Sequence, residues 1–189
     1  RPQPWRHQQV LDLTHPDAYA HVLGALDDLL RRYAISALKW DHNRDLSEAM
    51  HAGRPAVHQQ TLAVYRLLDE LRARHPHVEI ESCASGGGRV DLGILERTDR
   101  VWASDCNDAL ERQAIQLWTS LLLPPELVGT HIGAPLSHTT GRTHQLDFRA
   151  VTALFGHAGL EWDISALDDG TRAQLRSWVS LHRELRELL

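Results

Sequence analysis

Cysteine is scarce in this chain of 189 residues: there are two, Cys83 and Cys106, and neither lies in a metal-finger spacing. Two are too few for a disulfide framework. Long apolar runs are missing as well. No stretch approaches the ~18–20 residues of a membrane span, and no secretory signal opens the sequence. Basic residues are outnumbered, 20 Lys and Arg against 25 Asp and Glu, giving a net charge of −5. Without a basic run, the electrostatic footprint of a nucleic-acid partner is absent. These shortages point to a soluble, cytoplasmic globular protein, and 42% apolar residues suffice for a buried core. Phe and Tyr are few, yet there are six Trp. Such an excess suits either a site for flat amphipathic ligands or, more ordinarily, a Trp-rich core. The thirteen His are mostly single and in polar surroundings, so no metal centre is expected.

What is present is an alternation. Residues 9–13 (QVLDL) read as a strand, and 17–32 as a helix with Tyr19, Val22, Leu23, Leu26, Leu29 and Leu30 at helical spacing. Further strands are expected at 35–40, 78–82, 100–104, 127–131 and 160–164, and further helices near 58–74, 109–122, 148–156 and 171–189. Asp168 and Asp169 stand where an acidic residue caps the last helix. Six βα units in a row imply an α/β fold with a parallel sheet and helical crossovers. At about 31 residues per unit, the period matches a (β/α)8 TIM barrel of ~250 residues. The rival doubly wound sheet calls for a glycine-rich turn after its first strand, whereas Thr14-His15-Pro16 follows Leu13. The expectation is therefore the last six of eight barrel units. The absence of an initiating Met agrees with a piece of a longer chain.

In a barrel, chemistry gathers where strands end. One strand ends in Lys39-Trp40-Asp41-His42-Asn43-Arg44, the next in Glu81-Ser82-Cys83 with a glycine run to Arg89, and the next in Trp102-Ala103-Ser104-Asp105. Asp41 and Asp105 thus end strands two apart, and paired carboxylates across a sugar-sized gap are what glycosidic cleavage needs. A carboxyl that stays protonated near neutral pH requires burial or a neighbouring like charge. Lys39 shares a face with Asp41, while Trp40 points the other way and reads as packing. The Gly86–Gly88 run admits two readings. Its N–H groups could hold phosphate, though the Lys-Ser/Thr ending of a nucleotide loop is missing. Equally, glycine lets the backbone approach a sugar closely. Cys83 reads as a thiol nucleophile without a local His, or as a small contact or inert core thiol. A Cys83–Cys106 disulfide is disfavoured in a reducing compartment. Ser82, Ser85 and Ser104 lack the Gly-x-Ser-x-Gly elbow.

Taken in order, the Lys39–Arg44, Glu81–Arg89 and Trp102–Arg112 motifs resemble glycoside hydrolase family 36, the retaining α-galactosidases, from about Arg6 to Asp163. The resemblance implies Asp41 as nucleophile and Asp105, rather than Asp108, as acid/base, with Asp108, Glu111 and Arg112 bracing the following helix. It implies substrate contacts from Arg6, Lys39, Asn43 and Cys83, with Ser85 and Gly86 beside the sugar. His42, Ser85 and Cys106-Asn107 depart from the family's usual Met, Gly and Asp-Thr or Asn-Thr. Residues 1–189 would be the C-terminal part of the catalytic barrel. An N-terminal β-sandwich, the first barrel strands and a C-terminal β-domain would lie outside them, and the segment alone would have little or no activity. The implied partner is an α-galactoside oligosaccharide of the melibiose or raffinose type. No metal, nucleotide or flavin cofactor is implied, nor nucleic acid or membrane, and homo-oligomerisation of the full enzyme stays open. Alternatives are α-N-acetylgalactosaminidase or transglycosylase activity on the same scaffold, a silent sugar-binding fragment, and a phosphate-binding barrel enzyme.

Overall fold

The computed structural model describes residues 7–44, 46 and 49–188, so Arg6 lies outside the described residues. The chain divides into two units, one of Arg1–Ala84 with Gly88–Asp99 and one of Ser85–Gly87 with Arg100–Leu189.

In the first unit, helix α1 (Pro16–Arg32) starts where the His15 side chain accepts the Asp17 N–H and Pro16 pre-sets the first turn. Strand β1 (Ala37–Asp41) follows. A two-residue turn with Ala52 and Gly53 at positive φ then joins the short antiparallel strands β2 (Met50–His51) and β3 (Arg54–Pro55). Helix α2 (Val57–Arg74) leads to β4 (Glu79–Cys83), which lies parallel to β1 with Lys39 opposite Glu81 and Asp41 opposite Cys83. Helix α3 (Leu92–Leu95) is a single turn capped by Asp91. Tyr19, Leu23 and Leu30 of α1 bury against Leu67, Leu71 and Val78, and Trp40 packs beside Leu68, Ile80 and Ile94. Strand alternation therefore sends Leu38 and Trp40 to the helices and leaves Lys39 and Asp41 on the other face.

Residues 9–13 correct the expectation of a strand. They form no ladder beyond a bridge at Gln8. Instead the Leu13 N–H donates to Gln60 Oε1 at 2.9 Å, and Gln60 Nε2 donates to the Leu11 carbonyl at 3.0 Å. A side-chain amide on α2 thus does what a neighbouring strand would do, and Asp12 accepts the Thr14 N–H to turn the chain into α1.

In the second unit, β5 (Arg100–Trp102), β6 (Val128–Gly133) and β7 (His157–Glu161) run parallel in that order. Between them come α4 (Ala109–Thr119) and α5 (Leu146–Ala153), and α6 (Asp169–Leu185) closes the chain. Asp168 caps α6 by accepting the Thr171 N–H, as its position in the sequence implied. Ile132 packs with Leu146, Ala150, Ala153 and Leu175, with the partly buried Trp162 and Trp178 against them. Strand β7 begins three residues before the expected 160–164. Its small residues look weak for a strand, but they fit their neighbours. A Cβ on Gly159 would come within 2.7 Å of the His131 ring, and one on Gly156 within 2.6 Å of Thr130. Register here is set by that fit rather than by β propensity. Among the described residues the parallel strands number five, each unit repeats strand and helix in the α/β manner, and no helix is long and apolar enough to cross a membrane.

Candidate active site

The expected residues divide between the two units: Lys39, Asp41, Asn43 and Cys83 belong to the first, and Ser85, Gly86 and Asp105 to the second.

In the first unit, the ladder sets Asp41 beside Cys83, whose carbonyl accepts the His42 N–H at 3.2 Å. Asn43 curls back so that its Nδ2 donates to Asp41 Oδ2 at 2.8 Å, which orients a carboxylate that is otherwise exposed. Lys39 Nζ stands 3.4 Å from Glu81 Oε1; the ammonium is half-exposed and its partner carboxylate is buried. A buried acid under a half-exposed ammonium anchors the cation at this rim. Sequence reasoning left Glu81 without a role, and the signal that finds it is parity, two residues before Cys83 and opposite Lys39. His42 accepts from Arg89 at Nδ1, and the same guanidinium donates to the Arg44 carbonyl at 2.8 Å. Burial, and then the Arg89 charge, hold the His42 ring below its usual pKa, in its neutral form. Cys83 is buried on this rim and forms no disulfide.

In the second unit, Asp105 lies three residues beyond the end of β5 and is exposed. Its backbone is held from several sides. Gly86 has φ +78°, and a Cβ there would meet Ser104 Cα at 2.6 Å and Asp105 N at 3.1 Å. Glycine is therefore required for the loop to rest on the segment that carries Asp105. Ser85 precedes it, exposed and also at positive φ, 50°. The Gly87 N–H donates to the Ala103 carbonyl at 3.0 Å. Arg112 donates to the Ser104 carbonyl at 2.8 Å while its guanidinium lies 4.1 Å from the Trp102 ring centre. On that ring His131 stacks at 4.3 Å, and its Nδ1 meets Glu161 at 3.0 Å. Trp102 is accordingly buried packing that stiffens the strand end.

The nearby Asp108 is a different kind of residue. It is buried and caps α4, accepting the Leu110 and Glu111 N–H groups, the Thr140 hydroxyl and His144 Nε2. Burial alone would push its carboxyl up. The bonds from Thr140, from the two backbone N–H groups and from His144 outweigh that and bring it down to about 2. A carboxylate so committed has no lone pair to lend to a reaction, so Asp105 and Asp108 separate cleanly. An apolar groove of about 580 Å³ beside Ile132, Leu154 and Trp178 carries none of the expected residues. Among the described residues no group of His, Cys, Asp and Glu is arranged to hold a metal ion.

Comparison with known proteins bears on the whole chain. The profile of the Melibiase family matches residues 2–189. An alpha-galactosidase of Escherichia coli is 50% identical over 184 residues, which are 97% of this chain and 26% of that protein. Alpha-galactosidase C of Emericella nidulans is 44% identical over 165 residues, 87% of this chain and 22% of that one. The chain thus spans about a quarter of the length of these relatives. The crystal structure of the GH36 alpha-galactosidase AgaA from Geobacillus stearothermophilus superposes with a TM-score of 0.95 at 33% identity, over 100% of this chain and 27% of that one. A variant of the same protein in complex with raffinose gives 0.94 at 32% identity, over 98% and 27%. The fold class is therefore the one expected from the βα period, a part of a (β/α)8 barrel.

Proposed function

The chain belongs to the Melibiase family, and on that premise we propose that it carries the catalytic carboxylates of a retaining α-galactosidase. Asp41 is the nucleophile and Asp105 the acid/base. Asp41 attacks the anomeric carbon of a terminal α-galactosyl unit while Asp105 gives its proton to the departing glycosidic oxygen. Asp105 then takes a proton from water, which releases galactose with its configuration retained. Lys39, anchored by Glu81, and Asn43 hold sugar hydroxyls and the nucleophile in place. Cys83, Ser85, Gly86 and Arg6 are further substrate contacts. The substrate class is an α-galactoside oligosaccharide of the raffinose type, in keeping with the raffinose and stachyose complexes described for AgaA variants. Residues 1–189 are then the later part of a catalytic barrel that the longer protein completes.

The observation that carries this reading is the contrast among the rim carboxylates. Asp41 and Asp105 are exposed at strand ends with their backbones fixed, whereas Asp108 is buried in a cap. The test uses the full-length protein. Asp41→Asn is expected to lower kcat on raffinose by about 10⁴-fold or more. Asp105→Asn is expected to lower it by ~10²–10⁴-fold, with azide restoring turnover of an aryl galactoside. Nuclear magnetic resonance of the first-formed galactose should show the α anomer; the β anomer, or wild-type turnover by Asp41→Asn, would overturn the assignment.

A further inference from the structure

The three residues that follow Asp105 are each tied to one loop, the hairpin between β6 and α5. Cys106 Sγ meets Thr139 Oγ1 at 3.3 Å. Asn107 lies so close to Gly133, where the loop begins, that a Cβ there would come within 2.6 Å of its Nδ2. Asp108 receives the Thr140 hydroxyl, and the His144 ring and Arg142 guanidinium at 3.1 and 3.5 Å. The hairpin also bonds to itself. Ser137 N–H donates to the Arg142 carbonyl at 2.8 Å, His144 N–H to the Pro135 carbonyl at 3.0 Å, and Leu136 bridges Thr143. Arg149 holds its base through the Gly133 and His144 carbonyls. What this scaffold presents at its tip is His138 and Thr139, both exposed.

A general acid gives its proton to the oxygen of the bond that breaks, so a rigid wall fixed to the general acid's own segment borders the departing group. We propose that the hairpin of residues 134–145 is the wall of the leaving-sugar subsite, with the His138 imidazole and the Thr139 hydroxyl making hydrogen bonds to the hydroxyls of the departing saccharide. The proposal rests on Asp105 being the acid/base. Its chemistry follows from the tip: one imidazole and one hydroxyl, held on a loop that is ordered before binding, suit a polyol and offer nothing to an apolar leaving group. The anchoring residues Asp108 and Arg149 are buried and position the wall without touching the sugar.

In the full-length enzyme, His138→Ala and Thr139→Val are compared on raffinose and on p-nitrophenyl α-galactoside. The expected result is a five- to tenfold loss of kcat/KM on raffinose, arising in KM, with less than a twofold change on the aryl galactoside; the melting temperature is unchanged in His138→Ala and slightly lowered in Thr139→Val, whose hydroxyl also meets Cys106 and Ser137. Equal losses on both substrates, or no loss on either, would overturn the leaving-sugar wall while leaving the α-galactosidase reading intact. Wild-type enzyme that cleaves neither substrate would overturn both.

Discussion

The two strand ends that carry Asp41 and Asp105 are built in opposite ways. Around Asp41 a regular five-residue strand is already straight, and the site is finished by side chains: Asn43 on the carboxylate, Glu81 under Lys39, Arg89 on His42. Around Asp105 the strand is only three residues long, and the loop after it is held through its backbone by Gly86, Gly87, Arg112 and the buried cap Asp108. Side-chain construction makes a site that can be weakened without unfolding. Backbone construction couples the site to stability, because the groups that hold the loop are also core.

The strongest test of that difference is Asp108→Ala. It removes a helix cap and strands several donors together, and should cost on the order of 3 kcal/mol, read by urea unfolding of the full-length protein. The same residue predicts a pH dependence. Its folded carboxyl lies at about 2, below the ordinary 3.8 of an aspartate. The stability it contributes is therefore present above about pH 4 and is lost as pH falls toward 2. Melting temperatures of wild type and Asp108→Asn should accordingly converge over that window, and a gap that persists below it would contradict the burial-and-cap account. Next in size is Gly86→Ala, where positive φ and a 2.6 Å approach to Ser104 Cα combine. A loss of roughly 2–3 kcal/mol is expected, together with a fall in kcat.

On the Asp41 side the effects should be smaller and confined to function. Glu81→Gln frees Lys39 from its anchor and is expected to raise KM about tenfold with little change in melting temperature. A large destabilisation would mean that this rim, too, is coupled to the core. Asn43→Ala removes one hydrogen bond from an exposed carboxylate, for which a three- to tenfold fall in kcat/KM is expected. If its effect exceeded that of Gly86→Ala, the contrast between the two strand ends would be lost.

Much of this was legible in the sequence, and unevenly so. The five longer helices announce themselves by apolar spacing, whereas the single turn α3 went unexpected, and parity alone separates Lys39 and Asp41 from Leu38 and Trp40. The Asp105/Asp108 distinction came from the family resemblance of the Trp102–Arg112 motif rather than from local spacing. Misreadings arose where the deciding partner is distant in sequence. Residues 9–13 have strand composition, but the Gln60 side chain takes their hydrogen bonds. Residues 156–159 carry two glycines and so have poor strand composition, yet Thr130 leaves no room for a Cβ at Gly156 and His131 none at Gly159.

The order of βα units, the rims on which the charged residues fall and the Asp168 cap of the last helix were determined by the sequence alone, since each depends on local spacing and backbone chemistry. Only the tertiary structure decided that Glu81 anchors Lys39, that Gly86 supports the Asp105 segment and that the 134–145 hairpin is bound to it. Those relations depend on distances between residues far apart in the chain, which no local pattern encodes.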